Sequence, residues 1–314
     1  MKRKFIDKKI IFILVIALLT CIPLLKNNID ILRDDGIQHV YRILGNTETL
    51  KQFSLFPVIM SEFCNGFGYS WNLFYSPFTA YVPLVFKIFT SSNIICLKLF
   101  MICMMFLSGI TMYKFVQKIT ENNKIAIIAS IFYMLFPYHL TDMYARVAIA
   151  ELASFVFIPM VFLGMYNIID KNEKDYILAI GTIGLLLSHT IITLYTAIFC
   201  FLYCIVNIKK FKNKDVIKNI VFNAIIIVLT TSFFWIPMLE SKNATSYEVF
   251  VPGRMERTES KLELEKLVKT KNKEMVFELG TFIIISMLLT PFAMRKVNLK
   301  YKRLYYIFLV FRTS

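Results

Sequence analysis

Apolar residues in this chain fall into long, nearly uncharged runs separated by short polar connections. A helix needs about 20 predominantly apolar residues to cross a bilayer. Runs of suitable character occupy residues 10–25, 94–113, 125–140, 152–169, 176–208, 216–239 and 276–294, and a shorter one occupies 304–311. The pattern predicts an all-α fold, a polytopic transmembrane helical bundle of about eight complete spans plus a truncated last one.

Two runs need separate treatment. The 33 residues of 176–208 are too many for one crossing, and lysine-rich segments flank both ends, so we expect two short spans that turn near 188–190. The stretch 77–90 contains two prolines and a lysine. Such breaks are tolerated where the backbone is buried in protein or lines a cavity, which favours an interfacial or re-entrant segment.

Composition supports a membrane protein. Hydrophobic residues make up 57% of the 314 residues and charged residues 18%, with a mean hydropathy of +0.61, whereas soluble domains carry roughly 25% charged residues. A soluble enzyme is therefore close to excluded. The net charge of +15 does not require a nucleic-acid partner, because cytoplasmic loops of membrane proteins collect Lys and Arg. The partner that we expect is the lipid bilayer.

The distribution of positive charge predicts the orientation. Segments 114–124, 170–175, 209–215 and 295–303 contain fourteen Lys and Arg residues, whereas 141–151 and 188–190 contain one. The basic N-terminus and these four segments are thus predicted to be cytoplasmic. The first span lacks a small-x-small cleavage site, which favours a retained anchor. A long first loop, 26–93, and a charged loop, 241–275, are then placed outside.

The first candidate site follows the first span. Asp35, His39 and Arg42 would share one face of a helix, being at positions i, i+4 and i+7. Asp34 and Asp35 can bind a divalent metal, or one can act as a base while the other orients it. The alternative is that one of them caps a surface helix.

The second candidate site contains His139, Asp142, Arg146 and Glu151. Asp142 and Arg146 at i, i+4 predict a structural ion pair. The alternative is that the planar fork of Arg146 holds a phosphate, since short outer loops otherwise avoid Arg. His189 is either a polar turn residue or a contributor to the same cavity.

Aromatic and glycine residues crowd 65–77, which includes Tyr75. An interfacial aromatic belt is the simpler interpretation, and a surface for a sugar or a prenyl chain is the other. The chain contains neither a Walker loop nor a dinucleotide fingerprint, so nucleotide-driven transport and redox chemistry are not supported.

The order of features resembles the GT-C superfamily of polytopic glycosyltransferases, in which an acidic pair opens a large outer loop after the first span. More closely, three motifs are similar to a family of bacterial membrane proteins described as 6-pyruvoyl-tetrahydropterin-synthase-related. They are Asp34-Asp35-Gly36-x-x-His39-x-x-Arg42, Gly66-Phe67-Gly68-Tyr69 with Phe74-Tyr75-Ser76-Pro77, and Arg146-x-Ala148-x-Ala150-Glu151.

This resemblance implies transfer of a sugar from a polyprenyl-phosphate donor at the outer face of the bacterial plasma membrane. Asp34 or Asp35 would be the base or a metal ligand; the cofactor is unknown, and a divalent metal is possible. His39 and Arg146 would contact the donor phosphate. The remaining expected substrate-binding residues are Arg42, Tyr75, His139, Asp142, Glu151 and His189.

The resemblance also implies a division of the chain into a GT-C-like transmembrane module (1–240), the charged loop and a C-terminal segment (276–314). Two other functions stay open. One is a non-catalytic carrier or flippase for a lipid-linked glycan. The other is an inactive truncated fragment, which the short last run and the end of the chain at 314 suggest.

Overall fold

A computed structural model describes residues 7–26, 31–32, 34–51 and 58–244. Within these ranges the regular structure is helical, apart from one antiparallel bridge between Met60 and Tyr69. The helices are α1 (Lys8–Leu25), α2 (Gly36–Lys51), α3 (Trp71–Phe74), α4 (Phe78–Val85), α5 (Asn93–Thr120), α6 (Asn123–Met134), α7 (Pro137–Thr141), α8 (Ile149–Ile169), α9 (Ile177–Ser188), α10 (Thr190–Val206) and α11 (Lys214–Ala244). Short helical turns of other types lie at Cys64–Gly66, Phe86–Ile88, Asp142–Arg146 and Ile208–Lys212. The predicted all-α class is confirmed for the described ranges.

Four of these helices, α1, α5, α8 and α11, are long and apolar enough to cross a membrane. The bent pair Asn123–Met134 and Pro137–Arg146 makes a fifth if it is one span. α9 has 12 residues and α10 has 17, which is short of the roughly 20 that a full crossing needs. Eight complete spans therefore stay a prediction, and the expected span 276–294 and loop 241–275 lie outside the described residues, except for 241–244.

Where the sequence predicts two helices in 176–208, the structure has them. α9 ends at Ser188 and α10 begins at Thr190, so the break falls on His189 as expected. The ring Nδ1 of His189 accepts a hydrogen bond from the Ile192 N–H at 3.2 Å. A capping side chain of this kind satisfies a backbone donor that a new helix leaves free.

The apolar run 125–140 is not the uninterrupted helix that its pattern predicts. α6 and α7 meet at a bend of 43° around Leu135 and Phe136. Pro137 explains the break, since proline disfavours helical geometry in the residue before it. The bend starts the irregular segment that carries the second candidate site.

The segment 77–90 forms α4 and the turn Phe86–Ile88. Eleven residues (Phe78–Ile88) extend only about 16 Å at 1.5 Å per residue, about half the hydrocarbon thickness. This agrees with an interfacial or re-entrant segment.

Neighbouring helices pack closely through glycine. A Cβ atom on Gly164 of α8 would lie 2.4 Å from the backbone nitrogen of Leu178 at the start of α9. In membrane bundles, small residues let backbones approach in this way. Between α5 and α6, the Ser130 hydroxyl donates to the Gly109 carbonyl at 2.7 Å. These contacts hold α8 against α9 and α5 against α6.

Connections from distant parts of the chain meet at one end of the bundle. The Asp35 N–H donates to the Arg146 carbonyl at 3.2 Å, and the Tyr144 hydroxyl donates to the Thr20 carbonyl near the end of α1. We call the end that contains 34–35, 135–148 and 188–190 the site end. The connections 121–122, 170–176 and 207–213 lie at the other, lysine-rich end, where Lys118 pairs with Glu173.

Candidate functional site

A π-helical turn shapes the second candidate site. Asp142–Arg146 forms this turn, and Val147 follows with φ 53°. A β-branched residue in the left-handed region is a genuine outlier that costs on the order of 1–3 kcal/mol. The turn is closed by the Ala148 N–H, which donates to the Asp142 carbonyl at 2.8 Å. π-Helical turns of this type are frequent at functional sites.

Arg146 lies at the centre of a network of polar side chains. Its Nη1 is 2.8 Å from Asp142 Oδ1, and its Nη2 is 2.8 Å from Glu151 Oε1. Nη1 also donates to the Tyr138 hydroxyl at 3.3 Å, and that hydroxyl donates to Glu151 Oε2. The predicted ion pair between Asp142 and Arg146 is therefore present, and Glu151 extends it.

This network is buried. The side chains of Asp142, Glu151 and Arg146 are exposed by 0%, 11% and 16%. Two carboxylates share one guanidinium, so the positive charge of Arg146 is neutralised within the network. Because carboxylates already occupy the fork of Arg146, this geometry matches the ion-pair alternative better than the predicted phosphate contact.

The two adjacent aspartates have different surroundings in the structure. Asp34 is exposed and has φ 44°, whereas Asp35 is half-buried and its backbone bonds to Arg146. No donor among the described residues bonds to either carboxylate, so the capping alternative is not observed in that part of the chain. Burial raises the pKa of the Asp35 carboxyl, and the negative charges of Asp34 and Glu151 add to this against the opposing effect of Arg146.

Arg42 and His39 lie on the buried face of α2, which confirms that they share a face. They are only 1% and 2% exposed. The Arg42 guanidinium stacks over the Tyr75 ring at 3.9 Å, and it donates to the Thr79 hydroxyl at 3.2 Å and the Ser76 carbonyl at 3.3 Å. The His39 ring meets the edge of Tyr75 with centroids 6.0 Å apart.

Tyr75 contacts Arg42 and His39 and lies within electrostatic reach of the second candidate site. Burial raises the pKa of its phenol, and the charges of Arg42, Asp35, Glu151 and Arg146 all act on it. The Tyr75 phenol therefore senses charges from the acidic loop, from α2 and from the π-helical turn with its neighbour Glu151.

The other two histidines differ in their surroundings. His189 lies close enough to Glu151 and Arg146 to sense their charges, and it also caps α10. His139 is buried, stacks on Phe155 with centroids 4.0 Å apart, and its Nδ1 is 3.0 Å from the Tyr133 carbonyl. These contacts give His139 a packing role beside the network, and the predicted role in substrate binding stays a prediction.

A metal centre is not evident in the described part of the chain. There, no group of three or more His, Cys, Asp or Glu side chains is arranged to hold a metal ion. Asp34 and Asp35 alone supply too few ligands for a closed site. Metal binding by this pair remains a prediction that needs ligands from substrate or water.

Residues that the sequence pattern did not single out complete the site. Tyr138 joins Arg146 to Glu151, and Trp71 and Thr79 contact Arg42. In the sequence, Tyr138, Asp142 and Arg146 follow each other at intervals of four, the spacing of residues on one face of an α-helix. That spacing is the signal for Tyr138, whereas no local pattern indicates Thr79.

Comparison with known proteins gives one family. Residues 73–313 match the 6-pyruvoyl-tetrahydropterin synthase related domain, described as a membrane protein. A curated relative, an uncharacterized protein from Lactococcus lactis subsp. cremoris (strain MG1363), is 27% identical over 257 residues. The alignment covers 79% of this chain and 42% of that protein, so the chain spans about two fifths of its relative. No solved structure matches. The family match includes Tyr75, Arg146 and Glu151 but begins after Arg42.

Proposed function

The chain belongs to the 6-pyruvoyl-tetrahydropterin synthase related family of membrane proteins, and on that premise we propose that it is a glycosyltransferase-like membrane enzyme. It transfers a sugar from a polyprenyl-phosphate donor to an acceptor hydroxyl at the site end of the bundle. The site end faces the outside of the bacterial plasma membrane, with the lysine-rich end in the cytoplasm. The resemblance to GT-C enzymes suggests the class of donor.

One observation carries this proposal. Asp35 is half-buried, its pKa is raised, and no described residue donates to its carboxylate. A general base must be held in place and be free to accept a proton, with a pKa closer to the working pH than that of an ordinary carboxylate. The hydrogen bond from the Asp35 N–H to the Arg146 carbonyl supplies the positioning.

The reaction follows from this arrangement. Asp35 takes the proton of the acceptor hydroxyl as its oxygen forms a bond to the anomeric carbon of the sugar. The bond from that carbon to the donor phosphate oxygen breaks, and its electron pair leaves with the lipid phosphate. Arg146 acts as a positioning residue, because its ion pairs with Asp142 and Glu151 hold the turn to which Asp35 is attached.

The test compares two adjacent carboxylates. Transfer of radiolabelled sugar from polyprenyl-phosphate donors is measured in membranes that contain equal amounts of the native chain, Asp35→Asn or Asp34→Asn. General base catalysis contributes about 10²–10⁴-fold, so we expect a loss of that order in Asp35→Asn. Asp34→Asn is the matched control, and it should keep most of the activity because Asp34 is exposed.

Two results would contradict the proposal. Equal activity of Asp35→Asn and the native chain would remove this carboxylate from the reaction. Absence of transfer by the native chain, across donors with different sugars, would refute the enzyme and leave a carrier for a lipid-linked glycan as the function to examine.

A further inference from the structure

Arg42 is a buried cation whose charge nothing in its described surroundings neutralises. Its side chain is among the largest that are fully buried. The hydrogen-bond partners of Arg42 are a hydroxyl and a carbonyl, and none of the described carboxylates pairs with it. Burying a charge without a counter-charge is costly, so a fold that keeps such a residue needs a compensating interaction.

Unused donors lie on the same face. Arg42 Nε has no hydrogen-bond partner, and neither ring nitrogen of the neighbouring His39 has one. Burial, and to a smaller extent the charge of Arg42, lowers the pKa of His39 to about 3. His39 is therefore neutral at pH 7, with one ring N–H to donate.

Arg146 offers the opposite environment. Two carboxylates and a tyrosine hydroxyl occupy its guanidinium. An anion that approached Arg146 would have to displace the carboxylates that already occupy its guanidinium, whereas an anion beside Arg42 would meet an uncompensated positive charge. Coulomb energies at short range in a buried site are large enough to decide between the two positions.

We propose that Arg42 and His39 form a binding site for a phosphate group, which the Nε edge of the guanidinium and the His39 ring hold beneath Trp71 and Tyr75. Guanidinium binds phosphate through paired N–H groups, which gives both strength and direction. The phosphate moves the Tyr75 ring off the guanidinium face on entry. The site lies beside Tyr75, whose phenol also senses the charge of Asp35.

The phosphate has two chemical sources, the head of a polyprenyl-phosphate lipid and free phosphate. The inference that the phosphate belongs to a polyprenyl lipid rests on the proposed function, whereas the inference that a phosphate binds here does not. The position differs from the contact with Arg146 that the family resemblance implies.

Trp71 provides the readout. Its ring lies 5.8 Å from the Arg42 guanidinium carbon, and the chain contains only two tryptophans. A Trp235→Phe background leaves Trp71 as the sole indole. The full chain in nanodiscs of zwitterionic lipid is titrated with a polyprenyl monophosphate, with the uncharged polyprenol, and with inorganic phosphate.

We expect a saturable change in Trp71 emission with the polyprenyl monophosphate and none with the polyprenol. Arg42→Lys should weaken binding at least about tenfold, because it loses the planar fork. Arg42→Gln should abolish saturable binding. If Arg42→Gln does not fold, Arg42→Lys decides, because it keeps the charge. Arg146→Lys is the comparison variant, and it should weaken phosphate binding less than Arg42→Lys does.

Several results would overturn the site. Unchanged affinity in Arg42→Lys, a signal of equal size with polyprenol, or weaker binding in Arg146→Lys than in Arg42→Lys would each remove Arg42 as the ligand. Equal affinity for inorganic phosphate supports the site and refutes the lipid source. Asp35→Asn should lose transfer but still show saturable phosphate binding, so a failure of transfer and a failure of binding are distinguishable.

Discussion

Removing the charge of Arg146 should destabilise the fold strongly, because two buried carboxylates depend on it. In Arg146→Met, Asp142 and Glu151 lose partners at 2.8 Å while their side chains stay 0% and 11% exposed. Breaking a buried ion pair costs about 3–5 kcal/mol. A buried carboxylate that has lost its partner can take up a proton instead of staying charged. For a group with an ordinary pKa near 4, protonation at pH 7 costs about 4 kcal/mol, which is the largest loss expected for each carboxylate. We therefore expect the free energy of unfolding to fall by about 4 kcal/mol.

The measurement is equilibrium unfolding in mixed detergent micelles, followed by tryptophan fluorescence. Lys118→Met is the control, because Lys118 and Glu173 also lie 2.9 Å apart but their side chains are 36% and 47% exposed. Such exposed pairs contribute about 0–1 kcal/mol. The Arg146→Met loss should also shrink by about 1.4 kcal/mol for each unit of decrease in pH, since the folded variant binds an extra proton. A loss no larger than that of Lys118→Met, or one independent of pH, would show that the network is not a buried ion pair.

Two further predictions concern pH and orientation. Transfer activity should rise with pH as Asp35 loses its proton. The midpoint of this rising limb should lie above the ordinary carboxyl pKa of 3.8, because burial and the charge of Asp34 raise the pKa of Asp35. Asp34→Asn removes a like charge and should move that limb to lower pH, which a pH profile of the rate measures; an unmoved limb would assign it to another group. Cys64 is exposed, whereas the other cysteines are buried or half-buried, so an impermeant maleimide should label the native chain in intact cells but not Cys64→Ser. Adding Asn213→Cys to Cys64→Ser should restore labelling only after permeabilisation, and labelling in intact cells would invert the predicted topology.

Much of the fold could be predicted because the spacing of apolar residues and the length of apolar runs determine where helices form. The break at His189 follows from a run too long for one crossing, and α4 is short as its prolines indicate. The bend before Pro137 was not predicted from the apolar run, although proline marks it. The π-helical turn at Asp142–Arg146 has no local signal, since packing against α1 and the loop at Asp35 stabilises it.

The residues of the candidate site could be predicted from the sequence, but the contacts between them could not. Asp34 and Asp35 are equivalent as neighbours in the sequence. Burial and a hydrogen bond to Arg146, more than 100 positions away, make them different. Contacts at that separation arise only when α1, α2 and the π-helical turn meet, so no local pattern can rank the two carboxylates.

Arg42 and Arg146 show why the contacts of a residue matter more for its role than its position in the sequence. On sequence alone, Arg146 is the better phosphate ligand, since it lies in a segment that otherwise avoids positive charge, whereas Arg42 lies in an ordinary amphipathic helix. Packing reverses this order, because Asp142 and Glu151 neutralise Arg146 while aromatic rings cover Arg42 without neutralising it. A lipid-phosphate donor needs a cation at the leaving group and a free carboxylate near the acceptor. Arg42 stacks on Tyr75, and the phenol of Tyr75 also senses the charge of Asp35. Under the proposed function these two groups meet the two requirements, and Arg146 holds Asp35 in place.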